Sequence, residues 1–319
     1  MTVSARWKGI SCGLLASALW GSFYPVSRFV FGHELENADP LFVAFLRNAI
    51  CTVFLIPFLF SRTGARELCT NWRKDIPTFL LLAFSGVAEG VLVMISTRYT
   101  TAARASLLAN AAPIFTVLIA WALVHDRPNR AQIVGMTVGF FGVALAAFSR
   151  GADLFTSGRT LPGDLLALAS GVSWGFYTVL GGKMTGRVYD ARFVTAVGAV
   201  FGLAMMVPVL ALFRCRPEFD FSPKVWLGLL YLGAGTGSLA LVMWYQALKY
   251  LKAGELGSFG YATALLAVLF AVIFLRERFT LGFLLSIPCV LGGIWLMFGK
   301  TGKISGHRRG RGSTPPRRR

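Results

Sequence analysis

The chain has 319 residues, of which 55% are hydrophobic and only 14% are charged, and its mean hydropathy is positive at +0.63. Soluble domains carry roughly 25% charged and 45–50% apolar residues, so this composition excludes an ordinary soluble globular protein. The net charge is +18, and the Lys and Arg residues are most concentrated in the C-terminal tail. A basic tail next to a membrane helix favours contact with anionic lipid over nucleic-acid binding.

Ten apolar blocks follow one another, each about 20 residues long, the length that a helix needs to cross a hydrocarbon layer of about 30 Å. Backbone polar groups in hydrocarbon must bond within their own segment, and barrel strands would be shorter and alternating, so we predict helices. We expect the first block to be a retained span and not a cleaved signal peptide. The predicted spans of this all-α integral membrane protein are 9–31, 40–61, 75–97, 103–124, 131–149, 162–183, 191–213, 223–248, 255–275 and 281–299.

The distribution of Lys and Arg among the loops predicts the orientation. With a cytoplasmic N-terminus, the inner side carries 21 of these residues and the outer side nine. Without the two tails the inner loops carry 11, so the tails contribute most of the bias. We expect both termini in the cytoplasm and a bacterial-type inner membrane. The tail from Lys303 to Arg319 has seven Lys or Arg and no acid, which predicts contact with anionic lipid, although an acidic partner would also fit.

The two halves of the chain resemble each other when residue n is aligned with residue n+151. The matching residues include Tyr99 with Tyr250, Gly142 with Gly293, and Asp126-Arg127 with Glu277-Arg278. Each half holds five spans, an odd number, so the second half enters from the opposite face and the repeats are inverted. The predicted organisation is an N-terminal segment 1–8, a first five-helix repeat 9–150, a loop 151–161, a second five-helix repeat 162–300 and a disordered basic tail 301–319.

Short motifs occur in a fixed order along residues 9–300. They are Ala18-Leu19-Trp20-Gly21-Ser22, Val43-Ala44-Phe45-Leu46-Arg47, Ala103-Arg104-Ala105-Ser106-Leu107-Leu108, Pro113-Ile114-Phe115, Ser173-Trp174-Gly175 and Leu275-Arg276-Glu277-Arg278-Phe279-Thr280. Together they resemble the drug/metabolite transporter superfamily, specifically its ten-helix EamA-type carriers. The turn His125-Asp126-Arg127-Pro128 departs from the Gly-Glu-Arg type usual in that family. The resemblance implies export or exchange of small organic metabolites without fixing which one.

Three polar residues inside the predicted spans lie at a similar depth, about 10–13 Å below the outer surface at roughly 1.5 Å per residue. They are Arg47, Glu89 and Asn110. Ionisable residues are costly in lipid and face the bundle interior or a wet cavity. One hypothesis is that Arg47 or Glu89 meets the substrate or a coupling proton. The alternative is a structural ion pair between two helices, and the sequence leaves both open.

Aromatic residues recur at helical spacing in spans of both halves. Trp20 and Tyr24 share a face of the first span, and Trp174 and Tyr177 share a face of the sixth. Facing aromatic rings from the two repeats would suit a flat or cationic solute. Ordinary packing or anchoring at the membrane interface are the alternatives. Further candidates for the substrate pathway are Tyr245 and Tyr261.

No sequence pattern predicts a metal, a cofactor or a catalytic set. The five cysteines lack ligand spacing, the three histidines are scattered, and the run 233–237 has glycines but no preceding strand for a nucleotide loop. The leading hypothesis is therefore a secondary carrier of small molecules that works by alternating access, with or without proton coupling. A non-transporting membrane scaffold or receptor, and with less support an intramembrane enzyme, are the alternatives.

Overall fold

The computed structural model describes residues 3–23, 25–27, 39–69, 72–100, 102–148, 160–185, 188–275 and 281–298. In these ranges the chain folds into helices without a β-strand. The α-helices are Val3–Gly21, Pro40–Leu59, Arg62–Leu68, Ile76–Ser96, Ala102–Ala109, Ala112–Val124, Arg130–Phe148, Leu161–Met184, Ala191–Leu212, Pro223–Leu230, Ala240–Ala247, Ala253–Gly257, Phe259–Leu275 and Leu281–Phe298. Tyr24, most of the loop between the repeats and the basic tail lie outside the described residues.

Ten stretches of the described chain are long and apolar enough to cross a membrane, which confirms the predicted all-α membrane fold. We number them spans 1 to 10: Ser4–Ser27, Pro40–Leu59, Trp72–Ser96, Arg104–Val124, Arg130–Phe148, Leu161–Met184, Ala191–Leu212, Pro223–Ala247, Ala253–Phe274 and Leu281–Phe298. Spans 1, 3, 5, 7 and 9 begin on one face of the bundle, which we call the proximal face. They end on the opposite, distal face.

Several spans depart from a continuous α-helix, and spans 4, 8 and 9 do so in their interior. Span 4 is interrupted at Asn110 and Ala111, and its second helix begins with Pro113 in the first turn, where a missing N–H costs nothing. Span 9 is interrupted at Ser258. Span 8 contains a π-helix over Tyr231–Leu239. Irregular backbone at membrane depth is tolerated where it lines a cavity or is buried in protein, so these positions point to the centre of the bundle.

Corresponding residues of the two halves have the same structural roles. Asp39 and Asp190 cap the helices of spans 2 and 7, and each carboxylate accepts a 2.9 Å hydrogen bond from the backbone N–H two residues later. Pro57 and Pro208 lie inside those same two helices. Caps and prolines are set by local backbone geometry and not by apolar composition. The internal repeat is therefore structural and not a chance likeness of apolar sequences.

The contacts between spans also follow a two-fold pattern. Span 3 packs against span 6 as span 8 packs against span 1, and span 4 packs against span 6 as span 9 packs against span 1. Spans 2 and 7 pack against each other, and so do spans 5 and 10. We call spans 3, 4 and 6 the first bundle and spans 8, 9 and 1 the second bundle. Two inverted five-helix repeats give this arrangement.

Spans 5 and 10 cross at glycines that allow their backbones to touch. A Cβ on Gly293 would lie 2.6 Å from the backbone nitrogen of Gly139 and 2.7 Å from the carbonyl oxygen of Gly135. At the corresponding position, a Cβ on Gly142 would lie 2.9 Å from Cγ2 of Val290. Small residues let membrane helices approach this closely because van der Waals packing, not hydrophobic burial, drives their association.

We predict that Gly293→Val destabilises the folded protein by about 2 kcal/mol or more, since overpacking a tight contact commonly costs about 1–3 kcal/mol and here the neighbour is backbone. The measurement is thermal unfolding in detergent. Gly292→Val is the matched control, because a Cβ at Gly292 would meet nothing within 4 Å. Equal melting temperatures for the two variants would contradict the crossing described here.

Candidate transport cavity

A central cavity of about 1270 Å³ lies between the first and second bundles. The spans that contribute to it do so with their middle and distal parts: Arg47 is early in span 2, Glu89 is late in span 3 and Ala271 is late in span 9. The cavity extends from Ala83 and Trp174, near the middle of spans 3 and 6, to Ser27 and Leu41 at the distal ends of spans 1 and 2. It therefore occupies the distal half of the protein.

Three tryptophans form the floor of the central cavity. The ring centroids of Trp20 and Trp174 are 5.1 Å apart in an edge-to-face arrangement, and Trp244 lies 5.1 Å from Trp20 and 5.8 Å from Trp174. The ring of Tyr177 continues the cluster at 5.6 Å from Trp174. Rings at these distances attract each other beyond the effect of their burial. The floor thus joins the first repeat, through Trp20, to the second.

Hydrogen bonds connect this floor to the π-helix of span 8. The indole N–H of Trp20 donates to the carbonyl oxygen of Thr236 at 2.8 Å, and the hydroxyls of Ser22 and Tyr231 are 2.6 Å apart. The Ser238 hydroxyl donates to the Cys51 carbonyl oxygen at 3.0 Å. Side chains that bond to backbone carbonyls in this way help to stabilise irregular helix inside a membrane.

Span 2 contributes two strongly polar side chains, Arg47 and Asn48, to the cavity surface. The Arg47 guanidinium lies 5.4 Å from the ring centroid of Phe23, and its buried Nε has no hydrogen-bond partner. The neighbouring Asn48 donates its amide N–H to the Met206 sulfur at 2.9 Å, a weak acceptor. Among the described residues, no carboxylate oxygen lies within 4 Å of the Arg47 guanidinium. The ion pair with Glu89 that the sequence left open is not formed in this structure.

The structure brings six of the nine predicted pathway residues together at the cavity surface: Trp20, Arg47, Glu89, Asn110, Trp174 and Tyr177. Tyr245 and Tyr261 are not among the residues that line the cavity; both are buried in the core and donate their hydroxyls to the carbonyl oxygens of Tyr177 and Met136 at 3.3 and 3.2 Å. Tyr24 lies outside the described residues. The part that any of these residues plays in transport stays a prediction.

Sequence reasoning missed Trp244, which completes the floor. It belongs to span 8, and the residue 151 positions earlier is Val93, so the repeat gave no signal for it. Its indole N–H donates to the Thr178 hydroxyl at 3.3 Å, and its side chain is fully buried. Trp244 lies close to the end of the predicted span 223–248, where a tryptophan is typical of interface anchoring, so no sequence signal pointed to its place in the floor.

The two bundles touch on the proximal side of the cavity. The start of span 9 presents Gly254 and Gly257 to span 4, where added Cβ atoms would lie 3.0 Å from Val117 Cγ2 and 3.2 Å from Thr116 Cβ. A Cβ on Gly181 of span 6 would lie 2.0 Å from Cε1 of Tyr245 in span 8. This packing closes the proximal half of the protein and ends the cavity at mid-span.

Ion pairs on the proximal face accompany this packing. The Lys249 ammonium donates to Asp190 at 2.9 Å, and Arg192 Nε donates to the same carboxylate at 3.0 Å. Burial alone would raise the pKa of Asp190, but the hydrogen bonds from Lys249 and Arg192 lower it to about 2. Other pairs on this face join Arg6 with Glu255 at 3.1 Å and Lys252 with Asp126.

The depressed pKa of Asp190 fixes the pH range in which its pairing stabilises the protein. The unfolded-state pKa of an aspartate is about 3.9. Stabilisation by this carboxylate is therefore fully present above about pH 5, declines below that unfolded value and is lost as the pH falls through the folded pKa. The Asp190 carboxylate is accordingly ionised in its contact with Lys249 throughout the physiological pH range.

A sequence model of the EamA-like transporter family matches residues 7–148 and again residues 161–299. The chain belongs to the EamA-like transporter family. Because this family sequence model matches once in each half of the chain, the match agrees with the duplication seen in the caps, prolines and helix contacts. This EamA-like protein is therefore a multi-pass membrane protein of a transporter family.

Relatives of this EamA-like chain span most of its length. It is 31% identical over 246 residues to an uncharacterized transporter of Archaeoglobus fulgidus, a match covering 76% of this chain and 82% of the relative. It is 26% identical over 276 residues to the uncharacterized transporter YetK of Bacillus subtilis, covering 85% and 82%. A solved crystal structure of a protein shares the fold with a TM-score of 0.78 at 21% identity, covering 92% of this chain and 97% of that one.

We predict that Trp20→Phe lowers thermal stability more than Trp174→Phe does. Both changes remove an indole, but Trp20 also loses its 2.8 Å hydrogen bond to the Thr236 carbonyl oxygen, and a hydrogen bond of this kind contributes about 0.5–1.5 kcal/mol. The measurement is thermal unfolding of both variants in the same detergent. Equal losses would show that the hydrogen bond to the π-helix adds nothing to ring packing.

Proposed function

We propose that this protein is a secondary transporter that moves small organic metabolites through the central cavity by alternating access. The distribution of Lys and Arg fits an orientation in the cytoplasmic membrane with both termini in the cytoplasm. The proximal face is then cytoplasmic and the distal face external. In this orientation the cavity opens toward the outside in the described conformation. Export or exchange also uses a second conformation, in which the cavity opens toward the cytoplasm.

The observation that carries the proposal is a cavity that ends halfway through an inverted repeat. The bundles are in contact on the proximal side and separated on the distal side. Since corresponding residues of the two repeats have the same roles in the fold, the same sequence supports a second arrangement with contact and gap exchanged. Transporters built from inverted repeats alternate in this way around a midplane site.

The alternatives differ in what the cavity does. A scaffold or receptor would use the same fold without moving solute, and an intramembrane enzyme would need reacting side chains at the cavity surface. A cavity of about 1270 Å³ whose mostly apolar surface includes a guanidinium nitrogen without a hydrogen-bond partner favours solute movement over a passive scaffold, since a charge inside a membrane protein is costly. Membership of a transporter family adds to this argument and makes enzymatic activity the weakest alternative.

The test is uptake and counterflow of a panel of radiolabelled metabolites in proteoliposomes, with and without a proton gradient. Saturable flux of one solute class that exceeds empty liposomes supports the proposal. No flux of any solute, from protein shown to be folded by its melting curve, would move the weight to a scaffold or receptor.

Proton coupling is the finer part of the proposal, and Glu89 is the residue that we propose for it. Glu89 lines the cavity from span 3 and has no ion pair within the described chain. A carboxylate at this position can take up and release a proton as the cavity alternates between the two faces.

We predict that Glu89→Gln, which keeps the size of the side chain but can no longer bind and release a proton, lowers gradient-driven transport by about tenfold or more. Counterflow exchange without a gradient should stay within about threefold, because exchange does not require net proton movement. Asp220→Asn is the control, an exposed acid of the distal face. Unchanged gradient dependence in Glu89→Gln would show that Glu89 does not carry the coupled proton.

A further inference from the structure

The two cavity walls formed by spans 2 and 7 are built alike but carry different chemistry. In the repeat register Arg47 corresponds to Gly198, and Asn48 corresponds to Ala199. All four residues line the central cavity. Span 2 therefore presents a guanidinium and an amide at the positions where span 7 presents hydrogen and methyl groups.

The fold itself does not require these polar groups. Spans 2 and 7 share the aspartate cap at Asp39 and Asp190 and the internal prolines Pro57 and Pro208. Span 7 forms the same helix at the same place in its repeat with Gly198 in place of an arginine. Only the first repeat places a charged side chain at this position, and a charge within the membrane is costly. The reason for this charge therefore lies in the solute that the cavity binds.

The donors of this wall have unused capacity. Arg47 Nε is buried with no hydrogen-bond partner, and the Asn48 amide meets a thioether sulfur. A guanidinium prefers a planar anionic group that accepts two parallel N–H bonds, such as a carboxylate. The neighbouring surface of span 7 presents Gly198, Ala199 and Leu203, which carry no polar side-chain atoms, and the tryptophan floor lies below.

We propose that the cavity selects an amphipathic solute with a carboxylate group. The carboxylate binds Arg47 and Asn48 on the span 2 wall, and the apolar body lies against span 7 and the tryptophan floor. Glu89, next along the polar surface, accommodates an ammonium group where the solute carries one. This proposal deepens the transport function and rests on it.

The test uses a series of solutes of one size: an apolar-chain carboxylate, the same molecule with an α-ammonium group, its primary amide, and the amine without the carboxyl group. Binding to purified protein is followed by quenching of tryptophan fluorescence, since three tryptophans form the floor. Flux of the same solutes is followed in proteoliposomes. We expect the solutes with a carboxylate to bind about tenfold or more tightly than the amide and the amine, because hydrogen bonds to charged groups contribute about 1.5–3 kcal/mol.

Variants identify the responsible group. Arg47→Gln should remove the preference for a carboxylate and leave amide binding within about threefold, and Arg47→Lys should keep part of the preference as a point charge. Arg216→Gln, an exposed cation outside the cavity, should change nothing. Flux of amides or amines in preference to carboxylates would overturn this inference and leave transport standing. No flux of any solute would instead contradict the proposed function.

A second inference comes from an ion pair that is formed on one face only. Asp190 begins span 7 and pairs with Lys249 at the end of span 8, at 2.9 Å on the closed proximal side. The corresponding residues are Asp39, which begins span 2, and Arg98, just after span 3 on the distal side. These two form no ion pair within 4 Å, by the same criterion applied to the described chain.

Asp39 and Arg98 nevertheless lie near one another. Both act on the Cys215 thiol: burial and the Asp39 carboxylate raise the pKa of this cysteine to about 11, while Arg98 opposes the rise. Asp39 and Arg98 thus do not pair with each other on the distal side, whereas their counterparts Asp190 and Lys249 are in contact on the proximal side.

We infer that Asp39 and Arg98 form the distal counterpart of the pair between Asp190 and Lys249. The distal pair forms when the distal side closes, and the proximal pair breaks when the proximal side opens. In each conformation this corresponding pair is formed on the closed face only, and the exchange of pairs keeps the two conformations close in free energy.

The experiment measures labelling of a single cysteine, Asn110→Cys, by a membrane-impermeant thiol reagent from the distal face. The background replaces the five native cysteines. Arg98→Gln and Asp39→Asn should increase the labelling rate about threefold or more, and Asp190→Asn should decrease it, because 0.6 kcal/mol or more of pairing is lost from one state. The double variant Asp39→Arg with Arg98→Asp should restore the original rate. Arg216→Gln is the control. Unchanged rates in the single variants, or failure of the charge exchange to restore the rate, would overturn the inference.

Discussion

The contact between the glycine surface of span 9 and span 4 determines which half of this protein is closed. Gly254 and Gly257 let the two bundles meet at Val117 and Thr116, and the ion pairs of the proximal face form around that contact. On the distal side the corresponding residues are separated by the central cavity. A packed interface of this kind has discrete arrangements, because close-packed side chains do not slide continuously.

The inverted repeat makes a second arrangement available with little new structure. Asp39 and Asp190, or Pro57 and Pro208, do the same work in each half, so the backbone of one repeat can adopt the shape now held by the other. The side chains that break this symmetry have a different meaning. Arg47 has no counterpart, and its charge lies where a solute would be held. In the proposed transport cycle, residues shared by both repeats support the exchange of conformations, and the unshared Arg47 selects the solute.

Much of the fold could be predicted from the sequence. The apolar blocks give the lengths of the spans, and the residues matched across the repeat give the duplication. Arg47, Glu89 and Asn110 were placed at one depth by counting residues, and they do share the cavity. Helical spacing gives the face on which a residue lies but not the neighbour that covers that face. Tyr245 was therefore indistinguishable from Tyr177 until its buried hydroxyl bond was seen. The π-helix of span 8 follows from tertiary contacts and left no periodic signal.

The most direct test of alternating access is sided labelling of Asn110→Cys, a cavity position in the distal half, in proteoliposomes of one orientation. The account predicts that an impermeant thiol reagent reaches this cysteine from the distal face at rest. It also predicts that transported solute slows this labelling and makes the position reachable from the proximal face, by shifting the population between two conformations. Labelling from the distal face alone, at every solute concentration that supports flux, would contradict an alternating cavity.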